Sequence, residues 1–235
     1  MDIKFNTVEE ALKDIKKGIP IVIVDDEDRE NEGDLYIPAQ MATYDNINFM
    51  INKARGLMCV PMSKKRADEL KLNMMTENNT DNHGTAFTVS VDSYEGTTTG
   101  ISTGDRLKTI LDLGNLDKKA EDFRRPGHMF PLIAKEKGVL ERKGHTEAAV
   151  DLSKIAGFTE VGVIMEILKE DGTMARRDDL FEFCQKHNLK IITIDDLIMY
   201  RKNNEKLVKN EAEVDIITKF GKFTFIGYSD KIENK

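Results

Sequence analysis

With 235 residues and a hydrophobic fraction of 40%, the chain is long enough to bury a sizeable core, as one large domain or two small ones. Forty-two acidic against 35 basic residues leave a net charge of -7, which argues against sequence-independent binding to nucleic acid or an anionic membrane but leaves room for a local basic pocket. Met1-Asp2-Ile3-Lys4-Phe5 shows no basic segment leading into a long apolar core, and no run approaches membrane-spanning length, so a cytoplasmic location is expected.

Thr7 and Glu10 form a capping-box pattern, and Val8, Ala11, Leu12 and Ile15 then recur at helical spacing until Gly18 supplies a stop. The apolar run Ile21-Val22-Ile23-Val24 reads as a buried strand over 20–24. It runs directly into Asp25-Asp26-Glu27-Asp28-Arg29-Glu30-Asn31-Glu32-Gly33-Asp34. Carboxylates crowded beyond a strand's carboxyl end raise one another's pKa unless a cation offsets them, and a hard divalent metal is the economical partner. A calcium-binding EF-hand is excluded, because aligning Asp28, Glu30, Glu32 and Gly33 with such a loop puts Ala39 where the bidentate glutamate belongs. The bland alternative is a solvated acidic turn.

A short strand at 35–37, a helix over 45–54, a strand over 57–61, a helix over 64–70 and a strand over 87–91 follow. Residues 93–104 are rich in Gly, Ser and Thr and lead into a helix over 105–113. Such a loop can receive an anion, although capping by Ser102 or Thr103 explains it as well. Two basic segments ending in Gly-His, Arg124-Arg125-Pro126-Gly127-His128 and Arg142-Lys143-Gly144-His145, flank a strand over 129–134. Thr146 then opens a helix over 146–156, followed by a strand over 161–168, a turn at Asp171-Gly172, a helix over 178–187, a strand over 191–194 and a helix from Asp195. Cys59 lies in a strand-like run and Cys184 in a helical one, without metal-type spacing, so two reduced thiols are expected. Alternating β and α signals indicate an α+β fold: a single three-layer α/β/α-type domain around a mixed β-sheet.

Glu166 interrupts an otherwise apolar strand, which predicts a partly desolvated carboxylate with a raised pKa suited to proton transfer; a satisfied structural carboxylate is the alternative. His145 and Thr146 at a helix start can offer a metal-binding nitrogen, a hydroxyl and backbone donors for phosphate, and Arg142 adds a fixed charge. His128 reads equally as a loop-fixing histidine. His83 and His187 carry no assigned role.

Taken together, the acidic decapeptide, Thr97-Thr98-Thr99-Gly100-Ile101-Ser102 with Asp105-Arg106, Arg125-Pro126-Gly127-His128, Gly144-His145-Thr146-Glu147-Ala148 and Asp171-Gly172-Thr173-Met174-Ala175-Arg176 resemble the 3,4-dihydroxy-2-butanone-4-phosphate synthases of riboflavin biosynthesis, in order over residues 5–201. The resemblance implies a lyase that converts D-ribulose 5-phosphate to L-3,4-dihydroxy-2-butanone 4-phosphate and formate, using Mg2+ or Mn2+, in a homodimer with sites shared between subunits. Carried over by position, Glu30 and His145 match metal ligands. Arg29, Glu30, Asp34, Arg142, Lys143, Gly144, His145, Thr146 and Glu166 match substrate contacts. His128 and Glu166 match essential positions, with Asp25, Glu32 and Cys59 as further pocket residues.

The synthase domain is expected over residues 1–203. Residues 204–235 resemble the junction to a GTP cyclohydrolase II domain, and with the chain ending at Lys235 that second activity is expected to be absent. The tail either adds a strand to the core or stays loosely ordered, with Ile216, Ile217, Phe220, Phe223, Phe225 and Ile226 available to cover apolar surface. The competing class is a non-catalytic module that binds a nucleotide or RNA, against which the negative charge and the lack of a basic stripe weigh.

Overall fold

A computed structural model describes residues 4–230. It begins with helix α1 (Val8–Ile15), where the Thr7 side chain accepts from the Glu10 N–H and the Glu10 carboxylate accepts from the Thr7 N–H, the reciprocal cap read from the sequence. Strand β1 (Ile21–Val24) pairs antiparallel with β2 (Gly33–Pro38), and the acidic loop joins the two. Helix α2 (Tyr44–Lys53), strand β3 (Arg55–Met62), helix α3 (Lys64–Glu69) and strand β4 (Val91–Ser93) come next. Helix α4 (Thr103–Gly114) is followed by β5 (Phe123–Ile133), α5 (His145–Ala156), β6 (Gly162–Ile167), α6 (Arg177–His187), β7 (Lys190–Thr193) and α7 (Ile194–Asn204).

Seven strands form one mixed sheet in the order β4-β5-β3-β6-β2-β1-β7; β1 with β7 and β3 with β5 are parallel, and the other neighbours antiparallel. Strand alternation divides its two faces. Val22, Val24, Leu35, Ile37, Met58, Val60, Val163 and Met165 belong to a core cluster that also takes in Ile47 and Met50 of α2, Ile110 and Leu113 of α4, and Leu180 and Cys184 of α6. On the opposite face, α5 packs against β2, β3 and β6, Tyr36 hydrogen-bonds Ser153 at 2.8 Å, and Gly162 leaves room for Ala149. The expected α+β architecture, helices on both sides of a mixed sheet, is therefore present. Asp34, Cys59 and Glu166 sit on the α5 face, at alternate positions to the cluster residues.

Two strand expectations need correction. The strand placed at 87–91 is reduced to isolated bridges at Phe87 and Thr88, because this stretch alternates its backbone bonds between residues 73–75 and 131–133; regular pairing starts only at Val91. Conversely, β5 begins at Phe123 rather than 129. Its register against β4 shifts between the Asp92–Arg124 and Val91–Met129 pairs, so residues 125–128 form an irregular bulge carrying His128.

The chain divides into two units, Met1–Leu197 and Ile198–Lys235. Among the described residues of the second, β8 (Val208–Thr218) and β9 (Gly221–Asp230) pair with each other in a two-stranded sheet separate from the seven-stranded one, so this stretch is regular and is not a strand of the core sheet. Val214 opposes Phe225 and Ile216 opposes Phe223 across a turn where Gly221 takes a φ of 128°, which favours glycine. Phe220, Phe223, Phe225 and Ile217 are exposed on this hairpin. Among the described residues, no helix is long and apolar enough to cross a membrane.

Candidate active site

The acidic stretch folds as a loop around Asp25. This buried carboxylate accepts from the Glu30 N–H at 3.1 Å, the Glu32 N–H at 2.9 Å and the Arg29 guanidinium at 2.7 Å. Asn31, at φ 55°, lets the chain reverse toward β2. Arg176 closes the loop from outside by donating to the carbonyls of Glu30 and Asn31 at 2.6 Å each, a clasp that nothing in the acidic stretch itself signals. Arg29 also reaches Glu30, at 2.7 Å.

So ordered, the loop directs Glu30 toward His145, the first residue of α5. Glu30 Oε2 lies 3.6 Å from His145 Nδ1, and ligand atoms of Asp25, Glu30 and His145 all fall within 4.8 Å of one another. His145 is buried, and its Nε2 has no hydrogen-bond partner. A buried imidazole grouped this closely with two carboxylates fits a cation that these side chains would hold.

Electrostatics follow the packing. Burial pushes the Asp34 carboxyl up to about 7, with Glu166, Glu30 and Glu32 adding to the rise and His145 opposing it. Burial works against the charged form of His145, but Asp34, Glu30 and Asp25 outweigh it and raise the imidazole to about 9. For Glu30 burial alone would raise the carboxyl, yet the facing His145 imidazole and the Arg29 guanidinium hold it near 2. Burial also raises Glu32. Cys59 is raised by burial and by Glu166 and Asp34, so its thiol stays protonated.

These groups line one cleft of about 200 Å³: Arg29, Glu30, Glu32, Asp34, Cys59, Arg142, His145, Thr146 and Glu166, with Asp81 and Thr85 from the polar loop. Asp34 and Glu166 are direct cross-strand neighbours in the β2–β6 ladder. Glu166 Oε2 accepts from the Leu57 N–H at 2.9 Å, and Gly56 keeps the space open, since a Cβ there would run into the Glu166 backbone and carboxylate. Arg142 is held by Glu147 at 2.6 Å and by the His83 carbonyl and Thr85 hydroxyl. His83, given no role from sequence, stands with its Nε2 3.9 Å from Glu30. Helix α5 has Gly144 as its N-cap and no side-chain cap, so its first N–H groups are unclaimed by a capping side chain, and its first two residues, His145 and Thr146, line the cleft.

Four expected residues, Asp25, His128, Lys143 and Gly144, do not line the cleft. The Lys143 ammonium pairs with Asp195 at 2.9 Å on an exposed rim. His128 does not line this cleft; its Nδ1 is 2.7 Å from Asp92, a carboxylate that the sequence offered no reason to single out. The Gly/Ser/Thr loop behaves as a cap, with Ser102 accepting from Asp105 and the Thr98 and Gly100 N–H groups donating to Asp105.

The profile of the 3,4-dihydroxy-2-butanone 4-phosphate synthase family matches residues 9–200. The chain belongs to this family. It is 54% identical over 231 residues to the riboflavin biosynthesis protein RibBA of Bacillus cereus, covering 98% of this chain and 58% of the relative, so the chain spans about three-fifths of such relatives. Among solved structures it resembles RibBX, a two-domain 3,4-dihydroxy-2-butanone 4-phosphate synthase from A. baumannii, at 46% identity and TM-score 0.86 over 96% of this chain and 66% of that one. A synthase structure in complex with two magnesium ions matches at 39% identity and TM-score 0.81, over 85% of this chain and 98% of the other.

Proposed function

We propose that this chain is a metal-dependent lyase converting D-ribulose 5-phosphate to L-3,4-dihydroxy-2-butanone 4-phosphate and formate, serving riboflavin biosynthesis in the cytoplasm. The observation that carries the reading is the grouping of Asp25, Glu30 and the buried His145, whose ligand atoms lie within 4.8 Å of one another, within a family one of whose solved members binds two magnesium ions. Glu30 and His145 would hold Mg2+ or Mn2+, with Asp25 fixing the loop that presents Glu30. A hard divalent cation supplies electrostatic stabilisation to sugar oxygens that gain charge during enolisation.

The chain's own groups account for the remaining tasks. Arg142, the Thr146 hydroxyl and the uncapped N-terminus of α5 suit the phosphate, an anion that helix N-termini favour. Gly144 keeps that approach open, because a Cβ there would meet Arg142 and Glu147, and Lys143 adds main chain rather than its ammonium. Asp34, held near neutrality, and Glu166 beside it are placed to exchange protons with the substrate's carbon chain, while Arg29 neutralises the acidic side. Cys59, protonated and buried, is a wall of the cleft.

His128 lies outside the cleft of its own chain, which supports a homodimer whose second subunit supplies this residue. Residues 1–203 contain every group named here, leaving 204–235 as an extension outside the chemistry.

Purified protein given ribulose 5-phosphate and Mg2+ should release formate in a one-to-one ratio with butanone phosphate. A chelator should stop the release, and fresh metal should restore it. Saturating metal and substrate without formate would overturn the assignment.

A further inference from the structure

We infer that Asp92 is a positioning residue that fixes the His128 imidazole in a single tautomer, with Nε2 as its free basic nitrogen. The inference rests on the proposed reading in which His128 takes part in the reaction. Asp92 is 8% exposed and uses both carboxylate oxygens on one residue: Oδ1 accepts the His128 backbone N–H at 2.9 Å, and Oδ2 lies 2.7 Å from His128 Nδ1. A carboxylate only accepts, so Nδ1 carries a proton, and in the neutral ring Nε2 is the nitrogen that keeps its lone pair. The ring beyond Nδ1 is open, with 46% of the side chain exposed.

The surroundings hold this pair tightly. Gly127 donates to the Ser90 hydroxyl at 3.1 Å, and a Cβ on Gly127 would strike the backbone of Val91 and Asp92. Gly100, at φ +90°, packs so closely that a Cβ would strike both the Asp92 carboxylate and His128 Nδ1. The bulge at 125–128 and the Gly/Ser/Thr loop thus both serve to set one imidazole. A proton leaving substrate goes to Nε2, the resulting imidazolium is balanced by Asp92, and the same proton returns to substrate later in the cycle.

Asp92→Asn separates this from a structural role. The new carboxamide keeps its oxygen on the His128 N–H, which turns its NH2 toward Nδ1 and forces Nδ1 to accept, so the proton moves to Nε2. In the full chain with metal, kcat should fall by roughly 10²–10⁴-fold while KM and Tm stay near wild type. Nitrogen-15 shifts of His128 should show Nδ1–H in the wild type and Nε2–H in Asp92→Asn. A wild-type ring protonated at Nε2 overturns the inference even if the variant fails to fold, and a folded variant with unchanged kcat overturns it as well. Retained turnover in His128→Ala would instead overturn the reading on which the inference stands.

Discussion

Two polar loops of this protein are each built around one aspartate, and they do opposite things. Asp25 gathers the Glu30 and Glu32 N–H groups and Arg29, and so leaves the Glu30 carboxylate pointing at His145. Asp105 gathers the Thr98 N–H and hydroxyl and the Gly100 N–H, while Thr97 donates to the Ser93 carbonyl and Ser102 caps α4. The first loop turns reactive groups outward into a cleft; the second engages the Thr97, Thr98 and Ser102 hydroxyls within itself and at the start of α4, and packs Gly100 against Asp92 and His128. Composition makes both look like ligand sites. What separates them is whether the polar atoms remain unclaimed once the loop is folded.

Removing each centre should expose that difference. The largest effect is expected for Asp25→Ala, which deletes the acceptor for two backbone donors and Arg29: metal affinity should drop at least ~10-fold, as for loss of groups that orient ligands, and turnover should be lost in a protein that still unfolds cooperatively. Isothermal titration with Mg2+ or Mn2+ alongside circular dichroism checks both halves, and unaltered metal affinity would mean that the loop has another organiser.

A smaller effect is expected from pH. His145 in the metal-free protein is raised to about 9, and a metal requires the neutral imidazole, so binding must expel a proton below that pH. Metal affinity should therefore climb by up to roughly ten-fold per pH unit from neutrality and level off near 9. Titrations in buffers of different ionisation enthalpy count the proton; none released at pH 7 would contradict the assignment of His145.

The smallest effect belongs to the second loop. Hydrogen bonds from the Thr98 hydroxyl and N–H, and from Gly100, hold the Asp105 carboxyl down to about 2. A depressed carboxyl adds stability that is complete above its unfolded pKa of about 3.9 and vanishes as pH falls through the folded value. Asp105→Asn should thus lower Tm at pH 7, with the gap closing toward pH 2, and should leave metal affinity untouched. A Tm difference that persists undiminished at pH 2 would point to shape rather than charge.

Local signals were legible and long-range ones were not. The capping box of α1 could be read because Thr7 and Glu10 are three residues apart, and the helix over 146–156 because its pattern is self-contained. Strand β5 was misread because Pro126 and Gly127 look like a turn, while the bulge that admits them depends on pairing with β4, about thirty residues earlier. Among candidate site residues, residue type and position pointed to the acidic stretch, His145 and Glu166, while Glu30 and Asp34 were singled out within that stretch by the family resemblance. The Arg176 clasp, the Asp92–His128 pair and the turn of Lys143 toward Asp195 each join distant segments, so no spacing in the sequence could show them. The raised carboxyl in the cleft also needs the fold, since Asp34 stands in a run of acids and becomes unusual only when β6 and α5 bury it.

The state of the two cysteines has a practical side. Cys59 and Cys184 are both buried, and burial pushes the latter up to about 12, so neither supplies appreciable thiolate at neutral pH. Maleimide dyes react through the thiolate, which leaves the folded protein nearly silent to them. A cysteine introduced at an exposed position would then be the single attachment point for a fluorophore or a surface tether, with no need to delete native thiols first.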